Sequence, residues 1–123
     1  MAGVRGIRGA TTADTNSKEA ILEATSELLG KLIEANDVSV DDIAAVYFTA
    51  TDDLDAEFPA LAARQMGWME TALMCGREMN VVDGQDRCIR VLLLVNTEKS
   101  LKDMRFVYLK GAANLRSRGM EEV

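Results

Sequence analysis

The chain of 123 residues is 48% hydrophobic and 28% charged, which suffices for one domain with a real core and is too short for two comfortable ones. It contains no histidine, which excludes Ser-His and Cys-His catalysis, histidine metal sites and a histidine proton shuttle. Twenty acidic residues against fourteen basic ones give a net charge of −6, so nucleic acid is disfavoured as a partner, and an anionic ligand would need cations clustered locally.

The opening MAGVRGIRGATT has neither the long apolar run of a signal peptide nor a span able to cross a bilayer, so a cytoplasmic location is expected. Within it, residues 4–10 read as a short strand whose glycines allow close backbone approach. After the polar TTADTNS comes the clearest element, a helix over residues 17–35. Its stripe of Ile21, Leu22, Thr25, Leu28, Leu29, Leu32 and Ile33 fits a 3.6-residue period. Asn16 followed by Glu19 resembles a capping box.

Residues 43–51, IAAVYFTAT, read as a second strand with Thr49 and Thr51 near its end. PALAARQM follows as a short helix with Pro59 in its first turn, where the missing N–H is harmless, and Gly67-Trp68 ends it. Residues 71–76, TALMCG, make a third strand, and 88–96, CIRVLLLVN, a fourth. A helical turn over 100–104 leads to a fifth strand over 105–111, RFVYLKG. Residues 112–123 are polar and are expected to form a flexible C-terminal tail on a single domain spanning 1–123. Cys75 and Cys88 form no Cys-x-x-Cys pair and are expected to be reduced thiols, which also leaves no structural zinc site.

The fourth strand raises the functional question. Ile89, Val91, Leu93 and Val95 fall on one face and Leu92 and Leu94 on the other, the pattern of a strand covered on both sides. One long helix covers one side of a sheet, so a second subunit is expected on the other. Arg90 lies in this strand, where an unopposed charge is expensive. Arg8 in GIRGA, Tyr108 in FVYL and Glu78 just beyond the third strand complete a candidate constellation. Taken singly, these residues read more readily as a structural ion pair and a core aromatic than as a catalytic site.

Their order and wording add more. RGIRGATT, ATDDLDAEFPALAAR, GW at Gly67-Trp68, CGREM, CIRV and VYL run in sequence over nearly the whole chain, and in this the chain resembles the trimeric chorismate mutases of the AroH class. The resemblance implies an α+β fold, a five-stranded mixed β-sheet covered by helices on one face. It also implies that three chains assemble as a pseudo-α/β-barrel with an active site at each interface. The implied reaction is the Claisen rearrangement of chorismate to prephenate on the route to phenylalanine and tyrosine, without metal or organic cofactor and without nucleic acid or membrane as partner.

Residue by residue, the resemblance assigns Arg90 to the ether oxygen and a substrate carboxylate, and Glu78 to the neighbourhood of the ring hydroxyl. Arg8 and Tyr108 match carboxylate-holding residues, and Cys75 a thiol at the ring hydroxyl. Phe58 and Ala60 match wall positions, Leu115 a residue at the mouth, and Arg64 and Arg116 peripheral cations that draw in the dianion. Leu73 and Met74 stand at binding positions where another member carries Val and Thr. Leu61 occupies a place where members often carry lysine, and one residue fewer separates Arg64 from Trp68. Two alternatives share the architecture: a small trimeric deaminase acting on enamines or imines, and a ligand-binding module.

Overall fold

The computed structural model describes residues 3–115. In chain order these form β1 (Gly3–Thr12), α1 (Lys18–Asn36), β2 (Ile43–Ala50), α2 (Ala60–Gln65), β3 (Ala72–Arg77), β4 (Cys88–Thr97) and β5 (Val107–Tyr108). Short 3₁₀ turns lie at Val40–Asp42, Leu101–Asp103 and Lys110–Ala112. The strands make one mixed sheet in the order β3-β2-β4-β1-β5. The central β4 runs antiparallel to β1 and β2, while β3 lies parallel to β2 and β5 parallel to β1.

Alternation along each strand divides the sheet into two unlike faces. Ile7, Val46, Phe48, Ile89, Val91, Leu93 and Val95 point to one side and are almost wholly buried with Ile21, Leu28, Leu29 and Leu32 of α1. Each of those large side chains contributes about 1.5–3 kcal/mol by leaving water. Between Ile43 and Ala45 the register against β4 shifts by one residue, a bulge at Ala44 that lets Ile43 and Val46 both face the core. The opposite face carries Arg8, Tyr47, Thr49, Arg90, Leu92 and Leu94, all of them half-buried or exposed.

The helix approaches this sheet closely because β1 has glycine where it passes. A Cβ at Gly9 would meet Leu28 Cδ1, Leu32 Cδ1 and the carbonyl oxygen of Val107, each at 3.0 Å. Two buried polar groups of α1 are satisfied by hydrogen bonds, and one of them ties the helix to another segment. The Thr25 hydroxyl donates to Ile21 O at 2.7 Å within α1. The Asn36 amide donates to Leu32 O and Arg105 O and accepts from Arg105 N, so the end of α1 holds the chain that enters β5.

Several boundaries differ from the sequence reading. The cap of α1 is Ser17, whose hydroxyl accepts from Ala20 N at 3.2 Å. Asn16 instead accepts from the N–H groups of Asp55 and Ala56 and donates to Asp55 Oδ1, tying down the loop after β2. Thr11 and Thr12 belong to β1 rather than to the turn, because both pair with the start of β4. The fifth strand is two residues long, since Lys110 takes a left-handed backbone and turns the chain into a 3₁₀ helix. The first residues of the expected tail pack on the sheet. Ala112 is fully buried with Ala10 and Cys88, and Tyr108 and Leu115 pack against them over one end of the otherwise open face. Residues 116–123 lie outside the described residues.

Two expected outcomes follow from this packing. Gly9→Ala will destabilise the protein by about 1–3 kcal/mol, the usual cost of an overpacked contact, read as a lower denaturant midpoint at unchanged slope. Burial pushes the Cys88 thiol up to about 11, so its thiolate fraction near neutral pH is about a hundredfold below that of an unperturbed thiol at 9.0. Alkylation of Cys88 in the native protein will therefore be far slower than after denaturation, as measured by mass spectrometry. Since the folded protein favours the neutral thiol, the stability Cys88 contributes is present below its unfolded pKa and is lost as pH rises through the folded one.

Candidate active site

One crosswise row of the open face passes through all five strands. Tyr108 of β5 lies beside Ala10 of β1, which is opposite Arg90 of β4, which is opposite Thr49 of β2, which is beside Gly76 of β3. In this row Ala10 separates Tyr108 from Arg90, Thr49 is the direct neighbour of Arg90, and Gly76 ends the row. Glu78 follows β3 by one residue, and its N–H donates to Ala50 O at 3.0 Å, extending the ladder far enough to bring its carboxylate back over Thr49 and Arg90.

The carboxylate is firmly held. Thr49 Oγ1 donates to Glu78 Oε1 at 2.7 Å, and Arg90 Nη1 donates to the same oxygen at 3.2 Å. Met79 N donates to Oε2 at 3.1 Å. Burial opposes ionisation of Glu78, but the Thr49 hydroxyl, the Arg90 guanidinium and the Met79 N–H outweigh it and keep the carboxyl below the usual glutamate range. The Glu78 side chain is 18% exposed, whereas that of Arg90 is 47% exposed. One of the five guanidinium N–H groups makes the ion pair, and the fork keeps donor capacity for a ligand.

Both residues line a cavity of about 510 Å³. Its other walls are Cys88, Leu115, the Thr51–Asp53 segment that follows β2 and the loop over 79–86. That loop is anchored where it rejoins the sheet. Arg87, with a left-handed backbone, donates its N–H to Asp53 Oδ2 at 2.9 Å and its Nε–H to Ala13 O at 3.2 Å. The Thr51 hydroxyl donates to Asp53 and accepts from Cys88 N. Burial works against an ionised Asp53, yet the bonds from Thr51 and Arg87 outweigh it and hold its carboxyl below the normal range.

The sequence-derived candidates separate into two groups within one chain. Arg90, Glu78 and Leu115 share the 510 Å³ cavity, and Tyr108 packs beside it. Arg8 lies on the same face one row away, opposite Leu92, with its guanidinium 4.9 Å from the centre of the Phe106 ring. The remaining candidates gather around the β3 edge. Phe58 and Cys75 line a second cleft of about 480 Å³. The Cys75 thiol turns to the helix-covered side, where Ala60 N–H bonds to it; burial nevertheless raises it above the ordinary thiol value. Within one protomer it therefore faces away from Arg90. Leu73 packs on the main core, Ala60 is half-buried, and Arg64 is exposed in the last turn of α2. Met74 stands 63% exposed on the open face. Arg116 lies outside the described residues.

Sequence reasoning placed Thr49 and Thr51 at a strand end but gave them no part in the site. The signal available was their spacing of two, which puts both on one face beside the charged residue of the neighbouring strand. Asp53 and Arg87 carried no such signal, because their contact depends on how two loops meet.

The family model described as chorismate mutase type I matches residues 4–118. Chorismate mutase AroH of Thermus thermophilus is 49% identical over 114 residues, covering 92% of this chain and 93% of that protein. Chorismate mutase AroH of Bacillus subtilis is 42% identical over 114 residues, covering 92% and 90%. Among solved structures, a chorismate mutase from Clostridium thermocellum superposes with a TM-score of 0.86 at 50% identity, covering 87% of this chain and 96% of that one. With a family model spanning its length, two relatives above 40% identity and the same five-stranded fold, this chain belongs to the chorismate mutase type I family.

Proposed function

We propose that the protein catalyses the rearrangement of chorismate to prephenate as a cytoplasmic homotrimer, with its active sites at the protomer interfaces. The observation that carries this reading is the Arg90–Glu78 pair, set at 3.2 Å on a sheet face that the chain's own helices leave open. A structural ion pair needs no cavity beside it, and this one lines a cavity large enough for a compact dianion.

The reaction is unimolecular and transfers no proton, so the protein's contribution is conformer selection and electrostatics. As the ether bond stretches, electron density rises on its oxygen and positive character develops on the ring. A guanidinium beside that oxygen donates more strongly in the transition state than in the ground state, which is the condition for acceleration. In this reading Arg90 takes that part and also holds a carboxylate. Glu78, already ionised, meets the ring hydroxyl and opposes the ring's positive character. Arg8 and Tyr108, on the same face, hold the substrate carboxylates. No metal or organic cofactor enters these steps, and neither nucleic acid nor membrane is a partner.

Several observations support a shared site. Phe58 at 69%, Met74 at 63%, Val4 at 55% and Tyr47 at 43% exposure are large apolar groups left in water by a single chain. In the proposed trimer a neighbour's β3 edge, with Phe58, Ala60, Arg64, Leu73, Met74 and Cys75, completes the cavity that holds Arg90. Arg116 would add a peripheral cation.

The purified protein will therefore sediment at three times the 13.4 kDa chain mass. It will accelerate loss of chorismate's ultraviolet absorbance, with the product converting to phenylpyruvate in acid. Arg90→Ala will lower turnover by about 10²–10³ while the sedimenting species is unchanged, and lysine at this position will not restore it because the planar fork is lost. Since Glu78 sits below the usual glutamate range, activity will be level from about pH 6 to 8 and will fall only in acid as that carboxylate is protonated. Loss of the trimer in Arg90→Ala would make the pair structural, and no acceleration by the wild type would remove the assignment.

A further inference from the structure

We infer that Thr49 is a positioning residue for the reaction: its hydroxyl fixes the Glu78 carboxylate in the orientation that meets the substrate. The inference rests on the functional reading above and extends it to a residue that touches no substrate.

The geometry is specific. Thr49 lies opposite Arg90 and beside Gly76, on the open face, in the row that crosses the site. Its 2.7 Å bond is the shortest of the three hydrogen bonds to Glu78, and it falls on Oε1, the oxygen that also accepts from Arg90. A carboxylate offers about four acceptor positions. Two donors on Oε1 and Met79 N on Oε2 take three of them and leave Oε2 with a position for a ligand hydroxyl. Without the Thr49 hydroxyl, Oε1 keeps the longer contact to a half-exposed arginine, and the carboxylate can rotate about its last torsion, which is intrinsically broad.

Threonine suits this task. Its β-branched side chain is stiff about the first torsion and sits in a strand without cost, so the hydroxyl direction is set by the backbone. The bond is stronger to an ionised acceptor than to a neutral one, so it favours the charged form of Glu78. The charged and titratable groups around the carboxylate are Arg90 and Cys88 from β4, Asp52 and Asp53 from the loop after β2, and Asp83 and Asp86 from the loop over 79–86. Arg77 at the end of β3 is engaged with Asp52 at 3.3 Å. Burial favours protonation of Glu78, and Thr49, Arg90 and the Met79 N–H counter it.

The test compares Thr49→Val, which keeps the shape, with Thr49→Ser, which keeps the hydroxyl, and with Thr49→Ala should valine not fold. Chorismate turnover is followed against pH, and the Glu78 carboxyl carbon is titrated by carbon-13 NMR in the unliganded protein. A bond to a charged group of this kind corresponds to about ten- to a hundredfold, so kcat should fall by that factor in Thr49→Val with a smaller change in KM. The acid limb and the carboxyl titration should both move to higher pH, and Thr49→Ser should return all three. Unchanged kcat and unchanged titration in the valine or alanine variant would overturn the inference, as would a serine variant that stays as impaired as valine. A wild type without activity removes the functional reading instead, and the titration still decides whether Thr49 holds Glu78.

Discussion

Alternation along β4 is the constraint from which the rest of the structure follows. A strand with apolar residues at both parities needs cover on both faces, and α1 supplies it for Ile89, Val91, Leu93 and Val95 alone. Leu92, Leu94 and Arg90 are then committed to the other side by the pleat. A guanidinium placed there is neither dissolved freely nor sealed in the core. It lies on an apolar floor, with one carboxylate at 3.2 Å and a cavity beyond. Such a setting weakens solvent screening without imposing the full penalty of burial.

The site gains its order from backbone geometry rather than from long networks. Glu78 is positioned because β2–β3 pairing continues one bond past the strand, through Glu78 N to Ala50 O. Arg87 and Asp53 fasten the loop on the far wall, and Asn16 fastens the preceding loop from the other side. These ties converge on two short connections that would otherwise be the most mobile parts of the cavity.

Much of this was legible in the sequence, and for identifiable reasons. The stripe from Ile21 to Ile33 announced α1 because a long amphipathic period leaves little alternative, and the run at Ile89 to Val95 announced a strand covered twice. Arg90 and Glu78 stood out as charges beside apolar runs. What the sequence concealed was settled by contacts between distant segments. Ser17 and Asn16 are equally good caps by type, and Asp55 decides between them by claiming Asn16. The segment over 105–111 has strand-like composition, yet the left-handed Lys110 ends pairing after two residues. Cys75 shares a motif with Glu78, yet parity turns its sulfur to the covered side, so the two do not share a face within one chain.

The sheet order has a consequence for biosynthesis. The middle of the sheet is its fourth strand, with Gly3 opposite Thr97 and Ile43 opposite Val95, so neither β1 nor β2 meets its central neighbour until most of the chain exists. On the ribosome, α1 must wait with its oily stripe unshielded while some sixty further residues are added, an interval set by elongation at about 5–20 residues per second. Closing such distant pairs is entropically slow, so the core beneath α1 can close only late in synthesis.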